Sequence, residues 1–209
     1  MNELALNPKT PANRTNAAAT KSGVLKQNAL IIGISLAVMW GLEIIDAIAG
    51  QAMNGWGIRP REITGLLGVP LAPVLHADFG HLAANTIPFA VLAFFTLLRG
   101  VKTFAMVTIF TTVVGGILVW LMGSSGSHIG ASGLIFGYFG YLIAVAVFER
   151  SLKSILLGVL VGLLYGGMLF GVLPGKPGVS WEGHLFGALA GGGFAFLMHR
   201  RNGQAPKKA

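Results

Sequence analysis

The stretch "GSHIGASGLIFGYFGYL", residues 126–142, decides how the rest of the chain is read. Gly130, Gly133, Gly137 and Gly140 follow a 3-4-3 spacing that Ala144 continues, so a helix here carries one face of small residues. Ser132 is the hydroxyl among them, where that helix begins. Faces of this kind let helix backbones approach closely in lipid. A matching face lies downstream, where Gly183, Gly187 and Gly191 form two overlapping GxxxG units. Taken alone, each face says only that two helices pack tightly, and a serine among glycines has the plain reading of a small residue.

The surrounding chain supports a membrane setting. Of its 209 residues 54% are hydrophobic and 11% charged, and the mean hydropathy is +0.71. An ordinary soluble domain carries about a quarter charged residues. Six apolar stretches, at 28–48, 81–98, 103–123, 129–148, 154–173 and 183–199, each come near the ~20 residues that span hydrocarbon. The expected fold is all-α, a polytopic six-transmembrane-helix bundle over residues 28–199. A tail at 1–27, rich in Asn, Thr and Ala, is expected to be disordered, and a basic tail follows at 200–209. Ala47-Ile48-Ala49 resembles a signal-peptidase site, but the long leader and the charges of Glu43 and Asp46 just before it favour a retained first helix.

The net charge of +8 invites a nucleic-acid partner, and its distribution argues against one. Twelve of the 15 basic residues fall before segment 1, between segments 2 and 3, between 4 and 5, or after 6. Only Arg59, Arg61 and Lys176 fall on the other side. The positive-inside rule then makes both termini cytoplasmic. The absence of cysteine excludes disulfides and thiol catalysis.

With that topology, segments 2, 4 and 6 run from outside to inside, and their N-terminal ends share one depth. Those ends carry His81 and Asn85, Ser132, and His184. A single buried histidine commonly serves packing or a structural hydrogen bond. The convergence of the set points to chemistry, because polar groups inside a membrane are costly and usually face the bundle interior or a wet cavity. A serine becomes a nucleophile when a base lies within hydrogen-bond reach. The glycine faces would draw together the two helices that carry Ser132 and His184. His81 and Asn85, four apart, share one helix face and offer an imidazole N–H and an amide to a developing oxyanion. Asp78 is an N-cap for that helix.

"HADFGHLAAN" (76–85), "GASGLIFG" (130–137) and "GHLFG" (183–187), in this order and on these segments, resemble the signature of the rhomboid intramembrane serine proteases. The resemblance implies Ser132 as nucleophile and His184 as general base, a dyad without a carboxylate. It also implies His81, Asn85 and the Ser132 backbone N–H as the oxyanion-stabilising set. His76 matches a structural histidine of the first loop, and Phe136 an aromatic beneath the catalytic imidazole. The first loop departs in detail, with Trp56 and Arg59 apart and Arg61 following. The expected substrates are single-pass transmembrane proteins of a bacterial-type plasma membrane, cut near their outer ends at helix-weakening residues. No metal or nucleotide cofactor is called for. His128, four before Ser132, is expected to be a loop histidine at the interface, and Glu43 and Asp46 to be solvated there. The rival readings are a non-catalytic rhomboid-like protein that binds membrane helices, and a small transporter using buried histidines.

Overall fold

A computed structural model describes residues 11–175 and 178–204. Residues 1–10, 176–177 and 205–209, which include parts of both expected tails, lie outside the described residues. Among the described residues the chain is helical, apart from one isolated antiparallel pairing of Ile58 with His128. Its long helices are α1 (Pro11–Ile48), α2 (Phe79–Leu97), α3 (Val101–Met122), α4 (Ser132–Glu149), α5 (Leu152–Val172) and α6 (Trp181–Gln204).

The stretches Ser22–Ile48, Phe79–Leu97, Val101–Met122, Ser132–Glu149 and Leu152–Val172 are long and apolar enough to cross a membrane. At about 1.5 Å per residue, α6 with its 24 residues is also long enough. Its mean hydropathy is diluted by six glycines and by His184 and His199. The membrane bundle needs it nonetheless, because α6 makes the most extensive helix contact in the molecule, against α4.

The first helix corrects one expectation. It starts at Pro11, so residues 11–27, read from composition as disordered, are helical. Nucleation is the costly step in helix formation. A membrane helix supplies the nucleus, and the run of alanines at 17–19 extends it at little cost.

The core gathers around α4. Leu82 and Leu92 of α2, Val107 of α3, and Tyr138 and Leu142 of α4 are fully buried against one another. The Tyr138 hydroxyl is not stranded there, since it lies 2.7 Å from the Thr108 hydroxyl of α3. Asp78 does cap α2, accepting the His81 backbone N–H at 2.8 Å. The first loop, between α1 and α2, is a series of short helical turns laid against the end of α3. There Arg61 donates to the Gly123 carbonyl at 2.8 Å, and the Trp120 indole donates to the Glu62 carbonyl at 2.7 Å.

The glycine faces meet as a seam at three levels, one of them where a Cβ on Gly140 would overlap the Ala188 carbonyl. A Cβ built on Gly187 would overlap the Gly133 carbonyl, and one on Gly191 would overlap the Gly137 carbonyl. Backbone lies on backbone, and only hydrogen fits between. Gly130 is not part of this face, because α4 begins at Ser132. It takes φ +116° in the loop before it, where the His81 ring covers its Cα and a Cβ would fall 2.6 Å from that ring. The 3-4-3 spacing therefore combines a turn glycine with helix-packing glycines.

Candidate active site

The starts of α2, α4 and α6 surround one open cavity of about 560 Å³. His81, Asn85, Ser132 and His184 all line it, so the four residues named from sequence are brought together. Ser132 is half-buried in the first turn of α4. Its hydroxyl has no hydrogen-bond partner within 3.5 Å among the described residues. It therefore shares the cavity with His184 without a direct bond.

His184 is held on two sides. Its ring lies flat on Phe136, with centroids 4.2 Å apart and planes within 6°. Phe136 follows Ser132 by one helical turn, so α4 supplies both the hydroxyl and the platform. The Nδ1 of His184 is 2.8 Å from the Gly171 carbonyl, in the last turn of α5. A carbonyl only accepts, so Nδ1 carries the proton and Nε2 keeps its lone pair. This is the tautomer a general base needs.

Donors converge on the opposite wall. The Nδ1 of His81 accepts the Ala77 backbone N–H at 3.5 Å, which leaves the proton on Nε2, the edge that lies over Gly130. Asn85 spends one amide hydrogen on the His81 carbonyl at 3.0 Å and keeps the other. The residue that opens α4 is Ala131, which has no side chain to cap the helix. Among the described residues the first N–H groups of α4, Ser132's included, have no capping partner, and the helix dipole adds positive character there.

His76 braces the loop in front of Ser132. Its Nε2 accepts the Ala131 N–H at 3.2 Å, and its ring meets the His81 ring edge-on with centroids 5.2 Å apart. Burial pushes the His76 imidazole down to about 4, with the neighbouring His81 adding to the shift. An acceptor at Nε2 requires this neutral form.

Two other sequence-named residues fall elsewhere. Glu43 and Asp46 are 2% and 3% exposed, so they are buried and not solvated at the interface. Asp46 accepts the Met53 N–H at 2.7 Å and so ties the end of α1 to the first loop. His128 is a largely buried loop residue between the first loop and the start of α6, and it lines the same cavity as Ser132. The Gly171 carbonyl went unforeseen, because no side chain marks it. Ser180, Glu182 and Ser124 were missed as well, although the "SWEG" run at 180–183 carried a signal: a serine before an apolar helix is an N-cap signature.

A second, small and mostly apolar cavity of about 60 Å³ lies beside Ser132, between α3, the first loop and the glycine seam. Val69, Val119 and the π-helical turn Thr111–Gly115 contribute to its walls.

This arrangement agrees with what the sequence shares with others. A sequence model of the Rhomboid domain matches residues 64–201, more than half of the chain. The chain belongs to the rhomboid family. It is a multi-pass membrane protein with the helical bundle of that family. The rhomboid chain is 40% identical over 213 residues to an uncharacterized protein of Mycobacterium tuberculosis (strain ATCC 25618 / H37Rv), a match covering 97% of this chain and 87% of the relative. An uncharacterized protein of Mycobacterium bovis (strain ATCC BAA-935 / AF2122/97) matches with the same identity and coverage. One from Mycobacterium leprae (strain TN) is 42% identical over 172 residues, covering 78% of this chain and 68% of its own length. The rhomboid match begins at residue 64, so α1 and the first half of the first loop lie before it.

Proposed function

We propose that this protein is an intramembrane serine protease that cuts single-pass transmembrane substrates through a Ser132–His184 dyad. Ser132 Oγ attacks the scissile carbonyl while His184 Nε2 takes its proton. The oxyanion forms facing His81 Nε2–H, the free Asn85 amide hydrogen and the Ser132 N–H. His184 then returns the proton to the leaving amine, and water releases the acyl group from Ser132 by the same proton route in reverse. A substrate helix must expose a carbonyl that its own backbone no longer engages, so residues that weaken the helix belong at the cut.

The observation that carries this reading is the orientation of His184. The Gly171 carbonyl fixes the proton on Nδ1, and Phe136 fixes the ring plane. In a dyad no carboxylate does that work, so a backbone carbonyl and a stacked ring take its place. An uncapped helix N-terminus next to a serine supports the same reading, since a capping side chain would occupy the donors an oxyanion needs.

The test is covalent labelling with a fluorophosphonate beside cleavage of tagged membrane substrates. Wild type is expected to label at Ser132 and to cut. Ser132→Ala should do neither, and His184→Ala should lose on the order of 10⁴-fold in rate. Equal labelling of wild type and His184→Ala would remove His184 as base. Binding of substrates without any cleavage would favour a helix-binding protein instead.

The proposed setting is a plasma membrane with both termini cytoplasmic and the cavity opening outward. It rests on the basic residues at the far ends of the helices, such as Arg99, Lys102, Arg150 and Arg200. The native chain has no cysteine. A cysteine at Gly126 should label from outside intact cells with an impermeant thiol reagent, and one at Lys102 should not. The reverse pattern would invert the topology.

A further inference from the structure

A closed ring of hydrogen bonds joins the loop before Ser132 to the first turn of α6, and the proposed chemistry uses none of its side chains. His128 Nε2 is 2.9 Å from the Ser124 carbonyl. That carbonyl only accepts, so Nε2 carries the proton and Nδ1 is the acceptor. Ser180 Oγ lies 2.6 Å from Nδ1, and its hydroxyl therefore donates. The same oxygen accepts the Gly183 N–H at 3.1 Å, as an N-cap of α6. Glu182 closes the ring by accepting the Ser124 N–H at 3.0 Å. His128 is also anchored from behind, since its backbone pairs with Ile58 in both directions, at 3.0 and 2.9 Å.

The glycine seam explains why such a ring matters. It sets how far apart α4 and α6 stand, but its two glycine–glycine pairs are degenerate along their length. Gly187 now faces the Gly133 carbonyl and Gly191 faces that of Gly137. A slide of α6 by one turn would put Gly183 at Gly133 and Gly187 at Gly137, re-forming those two glycine–glycine contacts, while Gly140, now against the Ala188 carbonyl, would meet His184. That slide is about 6 Å at 1.5 Å per residue, and it would carry His184 one turn away from Ser132. Dispersion between glycines cannot tell the two registers apart. Directional hydrogen bonds can, as a single polar residue does in a coiled coil.

We infer that His128 and Ser180 are positioning residues that select the register of α6 against α4, and so place His184 beside Ser132. His128 is rooted in the first loop, and Ser180 is fixed to the first turn of α6. The bond between them is a ruler three residues from Gly183 and four from His184. Its catalytic consequence rests on the protease reading, while the register itself does not.

The experiment uses the full-length protein in detergent and in liposomes, with two readouts. The first is disulfide formation in a Ser132→Cys, His184→Cys pair, which reads register without activity. The second is cleavage and fluorophosphonate labelling per folded molecule in the otherwise native chain. His128→Phe keeps ring volume and removes both hydrogen bonds. It is expected to lower cross-linking of the pair severalfold. In the native chain it should lower kcat on the order of a hundredfold, the cost of reacting groups misplaced by ~1 Å, with KM unchanged. Ser180→Ala should act in the same direction, the double variant should be no worse than the single ones, and Ser180→Thr, which keeps a hydroxyl, should restore function.

Wild-type cross-linking, labelling and kcat in folded His128→Phe would overturn the inference, as would a loss that only tracks the folded fraction. Failure of the parent cysteine pair to cross-link would overturn it too. If His128→Phe does not fold, Ser180→Ala against Ser180→Thr decides by the same readouts. Should the native chain never label at Ser132 while cross-linking still falls in His128→Phe, the protease reading fails and the ruler stands.

Discussion

α4 and α5 are neighbours in sequence and alike in length, yet they are held in opposite ways. Half of the apolar window of α4 is buried inside the protein, against 11% of that of α5. α4 meets α6 through glycines, backbone on backbone. α5 presents Leu156, Val159, Leu163 and Phe170 to the outside, as a helix facing lipid does. The two contribute differently to one site. α4 supplies Ser132, its free N–H and the Phe136 platform from a rigid seam, whereas α5 supplies only the Gly171 carbonyl. The difference teaches that the distance between Ser132 and His184 is set by the dense pair, and the protonation pattern of the imidazole by the loose one.

The sharpest way to break that contrast is to add one methyl group to each side. Gly187→Ala must push the Gly133 carbonyl away, one residue from Ser132. A rate per folded molecule lower by on the order of a hundredfold is expected, from misalignment of ~1 Å. Gly162→Ala in α5 meets open space and should change neither rate nor folded fraction. The measurement is initial cleavage rate divided by the folded fraction from thermal unfolding. Equal behaviour of the two variants would end the distinction between seam and loose helix.

Asn85→Ala asks whether the donors opposite the seam are also fixed. On the proposed chemistry, losing one of several oxyanion donors costs roughly 3 kcal/mol, or about a hundredfold in kcat, and substrate affinity should hold. A variant that cuts at the wild-type rate would reduce Asn85 to its bond with the His81 carbonyl.

A smaller effect is expected from His76, and on stability alone. Its folded-state value of about 4 lies below the ordinary 6.5, so the unfolded chain binds the extra proton over that window. Stability should be whole above pH 6.5 and decline as pH falls toward 4. The loss amounts to roughly 2 kcal/mol between pH 7.5 and 5. Thermal unfolding across this range should show a steeper decline in wild type than in His76→Asn. Parallel curves would mean that His76 does not titrate with folding.

Much of this molecule was legible before any coordinates. Apolar length and the distribution of basic residues delimited the bundle, because hydrocarbon thickness and membrane charge act on local sequence. The Asp78 cap was legible for the same reason, being a contact within three residues. The start of α1 was not, since composition says nothing of a neighbouring helix that can be extended. Glu43 and Asp46 were misplaced because burial depends on what the first loop covers.

The sequence by itself determined that Ser132, His184, His81 and Asn85 begin three helices that enter the membrane from one side, for a helix end is a local event. Tertiary structure decided the rest. Glycine repeats of period four are satisfied by more than one register, so only packing in three dimensions could pair Gly187 with Gly133. The tautomer of His184 depends on a carbonyl 13 residues away in α5. A backbone oxygen carries no residue type, and nothing in the order of side chains could announce it.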